Sequence, residues 1–196
     1  MTNETNSSIL TTRAEVERLF GRCLLQLQAY ERLMKAILSQ HRLAGSAATL
    51  EKATEKRAAS FDRQTLGALV GQMMGSAIVD DETQEPHSLS DEGSEIDVQI
   101  WIGLRPDDFA TSKADLRNLV TLRNNLVHHF LDDHDLHSPI GCDKARLSLV
   151  EALQQITKAS NTLRMWATDF VKLRSTVTDM LNTPEVRNAI IGKTSE

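Results

Sequence analysis

The sequence predicts an all-α protein, an antiparallel up-and-down bundle of four to five main helices with one acidic, irregular insertion. Apolar residues recur at spacings of three and four along most of the chain, as they do on one face of a helix. Aromatic residues make up only 4% of the chain and prolines number four, a usage that suits helices better than a β-sandwich. The pattern breaks mainly in one place, between residues 80 and 110. A chain of 196 residues can bury one sizeable core but has little room for two full domains. The expected organisation is therefore a flexible N-terminus over residues 1–11, one helical domain over 12–182, and a short C-terminal helix and tail over 183–196.

Thr12 followed by Glu15 reads as a capping box that opens the first long helix, expected to run to about His41. Val16, Phe20, Cys23, Leu27, Tyr30, Met34 and Ile37 supply its buried face, and Glu31 with Lys35 makes a favourable i,i+4 pair beside that face. Gly45 and Ser46 end the helix. The stretch AATLEKATEKRAAS that follows has good helix propensity and little apolar surface, so it reads as a short exposed helix or a connection. Asp62 is placed to cap the next helix, where Leu66, Leu69, Val70, Met73 and Met74 form an apolar face. Gly67, Gly71 and Gly75 cost propensity there, and close helix packing is the expected compensation.

Residues 80–97 hold eight acidic residues and no Lys or Arg, together with Pro86, Gly93 and several serines, and read as a solvated, flexible insertion. Val98, Ile100 and Ile102 then alternate with period two, as in a short strand or an extended segment. Ser112 with Asp115 is the expected cap of a helix running to about Asp132, and DDHDLHSPIG is a loop. Asp143 is the expected cap of a very long helix carrying Leu149, Leu153, Ile156, Leu163, Trp166, Phe170, Leu173, Val177 and Met180. Thr183-Pro184-Glu185 restarts a short helix with Pro in its first turn.

The start of the chain carries no apolar run after a basic segment, and no apolar stretch approaches the roughly 20 residues that span a bilayer, so a cytoplasmic protein with no membrane partner is expected. Cys23 and Cys142 belong to no C-x-x-C pair, which suggests neither a disulfide framework nor a thiolate metal site. A net charge of −5 argues against broad attraction to nucleic acid, so any RNA contact must rest on local cations.

Such cations lie in residues 116–131. On a helical wheel at about 100° per residue, Leu116, Leu119, Val120, Leu126, Val127 and Phe130 form an apolar stripe with Arg123 at its centre. A guanidinium there must meet an anion, an acceptor network or a subunit boundary, because an unpaired buried charge costs several kcal/mol. Along the edge of the stripe, Arg117, Thr121, Asn124 and His128 follow at spacings of four, three and four. A permanent cation, a carboxamide and a titratable imidazole on one helix edge are suitable equipment for phosphate-ester chemistry. His128, His129, His134 and His137 also interleave with Asp132, Asp133 and Asp135, but in no standard ligand spacing, so a metal site is not expected.

The run Arg123-Asn124-Asn125-Leu126-Val127-His128, late in a helical chain, resembles the Arg, polar residue, three residues, His motif of HEPN domains, found in bacterial toxin and phage-defence ribonucleases. The resemblance maps onto roughly residues 12–180. It implies a homodimer whose motif helices face each other across a cleft for RNA, under the control of an antitoxin or a regulatory protein. It also implies an endoribonuclease that needs neither metal nor cofactor, in which His128 acts as general base or acid for attack by the ribose 2′-hydroxyl. Arg123 would stabilise the charge developing on phosphate, Asn124 would orient the phosphate or the imidazole, and Arg117 is added from the wheel as a phosphate-positioning residue. Toxins of this type that pair with a nucleotidyltransferase carry a modifiable Tyr two residues after the motif His, where this chain has Phe130. Some HEPN-like domains are non-catalytic dimerising or regulatory modules, which is the alternative function.

Overall fold

A computed structural model describes residues 2–45, 50–83 and 96–184 of the chain. They are mostly helical, in agreement with the all-α class, and include four short strands. In chain order the elements are α1 (Thr2–Gln40), β1 (Arg42–Gly45), α2 (Leu50–Phe61), α3 (Leu66–Gln72) and a π-helical turn (Met73–Ala77). They continue with β2 (Ile78–Asp80), β3 (Ile96–Gln99), β4 (Ile102–Leu104), α4 (Pro106–His128), α5 (Phe130–Asp133) and α6 (Pro139–Leu181). The chain divides into two compact units, Met1–Arg32 with Ala114–Thr162 and Leu33–Lys113 with Leu163–Glu196.

The first unit is built from parts of the three long helices together with α5. Val16, Leu19, Cys23, Leu27 and Tyr30 of α1 are buried with Leu116, Leu119 and Leu126 of α4, Phe130, and Cys142, Ala145, Leu149, Ala152 and Ile156 of α6. Phe20 of α1 packs on Phe130 with ring centroids 4.9 Å apart, while Glu31, farther along α1, lies beside Arg123, which precedes Phe130. The Cys23 thiol lies 3.8 Å from the Leu149 carbonyl, and burial raises its pKa to about 11. Lys158 of α6 meets Asp115 of α4 at 3.1 Å.

In the second unit β1 pairs antiparallel with β3, Arg42 opposite Gln99 and Ala44 opposite Asp97, and β2 pairs parallel with β4. The alternation of Val98, Ile100 and Ile102 thus corresponds to two strands separated by Ile100 and Trp101, and the Ile100 N–H donates to the His41 carbonyl at 2.6 Å. His41 is buried. Its Nδ1 lies 2.7 Å from the Leu38 carbonyl, and since a carbonyl only accepts, Nδ1 carries the proton. The unit's core includes Met34, Ile37, Leu38, Leu66, Leu69, Val70, Met73, Met74, Ile78, Leu163, Trp166 and Phe170.

Several element starts differ from expectation, each for a local chemical reason. The backbone of α1 is already helical at Thr2, so Thr12 lies inside the helix rather than at its start, and Glu15 accepts bonds of 2.7 and 2.6 Å from Arg18. Thr65, not Asp62, caps α3 by accepting from the Ala68 N–H. Gly71 and Gly75 face open space, so the expected close helix packing is not what accommodates them. The chain instead widens into the π-helical turn, which keeps Met73 and Met74 buried.

α4 begins at Pro106 rather than near Ser112, because Pro suits a first helical position and Asp107 and Asp108 suit a helix N-terminus. α6 begins at Pro139 for the same reason, with Ser138 Oγ accepting from the Gly141 N–H at 3.1 Å, so Asp143 lies inside the helix. Leu173 and Met180, expected on the buried face of this helix, are exposed. Residues 84–95, which hold most of the acidic segment, and the terminal helix beyond Pro184 lie outside the described residues. Among the described residues no helix is long and apolar enough to cross a membrane.

Candidate functional site

Sequence periodicity places Arg123 among apolar residues, and α4 is packed accordingly. Leu116, Leu119, Leu126 and Phe130 are buried, while Val120 is half-buried and Val127 is 44% exposed, so the stripe is narrower than the wheel suggested. The narrowing leaves the Arg123 side chain on the border between core and solvent, 29% exposed.

The anion that Arg123 requires comes from α1. Glu31 Oε1 lies 3.8 Å from Arg123 Nε, and the Glu31 side chain is only 22% exposed. Asn124 supplies the second contact, its Oδ1 accepting from Arg123 Nη1 at 3.3 Å. The expected partner of Glu31 was Lys35. Lys35 instead donates to the Asp62 carbonyl at 2.8 Å. Glu31 is thus the site residue that sequence reasoning missed. Its signal was present in its spacing of four from Leu27 and three from Met34, both buried, which sets it in line with the face of α1 that packs inward.

Asn124 and His128 are exposed and separated by one helical turn, so their Cβ atoms are neighbours, about 5–6 Å apart on an α-helix. Helix α4 was expected to continue to Asp132, but it ends at His128. His129 leaves helical geometry at φ −126°, ψ −6° and starts α5, whose Asp132 and Asp133 N–H groups both donate to the His129 carbonyl at 3.0 Å. The imidazole of His128 therefore projects from the last helical residue, beside a change of chain direction, rather than from mid-helix.

Of the remaining ridge residues, Thr121 is occupied, its hydroxyl donating to the Arg117 carbonyl at 3.2 Å. Arg117 is exposed and makes no ion pair among the described residues. Arg117, Asn124 and His128 thus share one exposed edge of α4, and Arg123 stands beside that edge in direct contact with Asn124.

The His and Asp residues after the motif separate into local contacts. His129 Nδ1 is 3.8 Å from Asp132, His134 packs on the Phe130 ring at 4.8 Å, and the His137 N–H donates to Asp135 Oδ1 at 2.9 Å. That last bond holds the Asp135 carboxyl below its usual range. Among the described residues no three His, Cys, Asp or Glu side chains converge as a metal-binding group. A shallow, mostly apolar groove of about 450 Å³, lined by Leu19, Arg22, Val150, Leu153, Gln154 and Thr157, contains none of the four predicted residues.

Comparison with known proteins found no matching family model, no matching curated relative and no matching solved structure.

Proposed function

We propose that this chain is a HEPN-type endoribonuclease, acting in the cytoplasm as a toxin-antitoxin or phage-defence effector. The observation that carries the reading is an arginine held by one hydrogen bond to Asn124 and one long contact to Glu31, next to an exposed Asn124 and one turn from an exposed His128. A phosphodiester laid along this edge of α4 would meet the outer face of the Arg123 guanidinium. His128 would remove the proton from the adjacent 2′-hydroxyl, whose oxygen attacks phosphorus and expels the 5′-oxygen of the next nucleotide, which takes up a proton from solvent water. The products are a 2′,3′-cyclic phosphate and a 5′-hydroxyl. Arg123 offsets the charge that builds on the non-bridging oxygens, Asn124 keeps the guanidinium and phosphate aligned, and Arg117 contacts a neighbouring phosphate. The proton transfer and charge compensation are supplied by side chains, with no step assigned to a metal.

A homodimer with a HEPN-like antiparallel bundle in each subunit belongs to this reading. Its support is the exposure of Val127 at 44% and Leu131 at 74% on either side of His128, an apolar surface suited to a second copy facing the motif. An antitoxin or regulatory protein would act by covering this edge. Phe130 is buried at 7% exposure and has no hydroxyl, so control by nucleotidylation at that position is not part of the proposal.

The test is cleavage of total RNA and tRNA in EDTA by wild type, Arg123→Ala and His128→Ala, each checked for native helicity. Wild-type cleavage should persist in the chelator and fall about 10²–10⁴-fold in each variant, the range for loss of a general base or of a transition-state cation. Undiminished cleavage by either folded variant sinks the assignment. A dimer that cuts no RNA would favour the non-catalytic module.

A further inference from the structure

The contacts of Arg123 fix more than its charge. An arginine on a helix has four rotatable side-chain torsions, and free rotation would let the guanidinium point to solvent in many directions, at an entropic cost when it meets a phosphate. Here the group is held from two sides by different helices. Asn124, its own neighbour on α4, takes Nη1 at 3.3 Å, and Glu31 on α1 faces Nε at 3.8 Å. The guanidinium thus makes one neutral hydrogen bond and one long ionic contact, which leaves it able to donate to an incoming anion.

The two contacts differ in kind. Asn124 is exposed and lies on the edge where substrate is proposed to bind, so its amide can exchange partners when a phosphate arrives. Glu31 is largely screened from solvent, and its distance from Nε exceeds that of a direct hydrogen bond. It acts as a fixed negative charge behind the guanidinium, where a phosphate in front does not displace it. A neutral carboxamide of the same shape would fill the space but would not provide the field.

We infer that Glu31 is a positioning residue for Arg123, a carboxylate on α1 that orients the guanidinium toward the scissile phosphate. This inference rests on the ribonuclease reading for its consequence in catalysis, while the orientation of Arg123 is a property of the folded chain and is measured without RNA. Glu31 touches neither substrate nor the reacting atoms; it acts through Arg123.

The experiment compares full-length wild type with Glu31→Gln, which keeps size and shape and removes the charge. The first readout is the Nε–H resonance of Arg123, assigned by its absence in Arg123→Ala, in protein labelled with ¹⁵N. In wild type it should be resolved and slow to exchange with water, and in Glu31→Gln it should shift and exchange at least several-fold faster. The second readout is cleavage of a short RNA at limiting and saturating concentrations. Glu31→Gln should lower kcat about tenfold and leave KM within twofold, because the cation remains present but is poorly aimed. A purely structural loss would lower the folded fraction, which native helicity and the melting curve report, without this division between kcat and KM. An unchanged Arg123 resonance, or an unchanged kcat in a wild type that cleaves RNA, overturns the role of Glu31. A wild type that cuts no RNA, with the resonance still moved by Glu31→Gln, overturns the ribonuclease reading and the catalytic consequence, and leaves only a structural ion pair.

Discussion

Two arginines, one in each unit, show how similar side chains are used differently. Arg42 in the second unit has a 44% exposed side chain, yet it pairs bidentately with Asp97, Nε and Nη2 meeting the two carboxylate oxygens at 2.7 and 2.5 Å. The pair joins β1 to β3 across their diagonal, a geometry that sheets commonly use. Arg123 in the first unit is less exposed, at 29%, and less satisfied, with one long ionic contact and one neutral hydrogen bond. Burial normally demands better pairing, so the order is inverted. Arg42 closes a structural contact, whereas Arg123 retains binding capacity at the edge of a helix whose neighbouring polar residues are exposed. The strength of the pairing, rather than residue type or burial alone, distinguishes the candidate site.

Removing each guanidinium tests that contrast most strongly. Arg123→Ala should lower RNA cleavage by about 10²–10³-fold, the loss typical of one charge-stabilising donor. Arg42→Ala should leave cleavage unchanged and cost less than about 1 kcal/mol in denaturant unfolding, since an exposed ion pair stabilises little. Equal losses of activity in both would erase the distinction between an open and a closed arginine.

A second test asks whether the first unit needs its tight turn. A Cβ on Gly141 would stand 1.9 Å from the Asp135 carbonyl oxygen, a backbone atom that cannot swing aside. Gly141→Ala should therefore destabilise the protein by about 3 kcal/mol, the upper end for overpacking, and shift the loop that follows the motif. Chemical denaturation measures the cost; an effect below about 0.5 kcal/mol, typical of an unconstrained surface site, would show that the turn is adjustable.

The second unit should reveal its own dependence on pH, with a smaller effect. Burial lowers the pKa of His41 from its ordinary 6.5, opposed in part by the bond to the Leu38 carbonyl and aided by the nearby charges of Arg57 and Arg42. As pH falls through about 6.5 the unfolded chain takes up this proton before the folded one does, so stability is full above that value and is lost below it. His41→Gln keeps a donor for the Leu38 carbonyl and should flatten part of the fall in Tm between pH 7.5 and 5.5. Parallel curves for the two proteins would mean that other groups control the acid response.

Much of the architecture was legible in the sequence because it follows from local periodicity. The spacing of Val16, Phe20, Cys23, Leu27, Tyr30, Met34 and Ile37 specifies which side of α1 is buried, and six of the seven are buried while Phe20 is half-buried. Helix starts were less legible. Pro106 and Pro139 are strong first-turn signals that compete with nearby Ser and Asp caps, and local propensity differs by too little to choose between them. The strand β1 was not foreseen, since RLAG carries no alternation and is held in place by pairing with the distant β3. Strand pairing is non-local, so a segment with weak intrinsic preference takes the conformation its partner imposes.

The candidate site divides along the same line. That Arg123 sits among apolar residues, with Asn124 and His128 on one edge, is dictated by the 3.6-residue period of a single helix, and the sequence alone determined it. It also determined that this arginine needs an anion, an acceptor network or a subunit boundary. Only the tertiary structure decided that the anion is Glu31, because the choice between Lys35 one turn away and Arg123 on another helix depends on how α1 and α4 pack, and packing is set by the shapes of both faces together. The end of α4 at His128 was decided at the same level, where Phe130 turns inward onto Phe20 and the helix gives way to reach that contact.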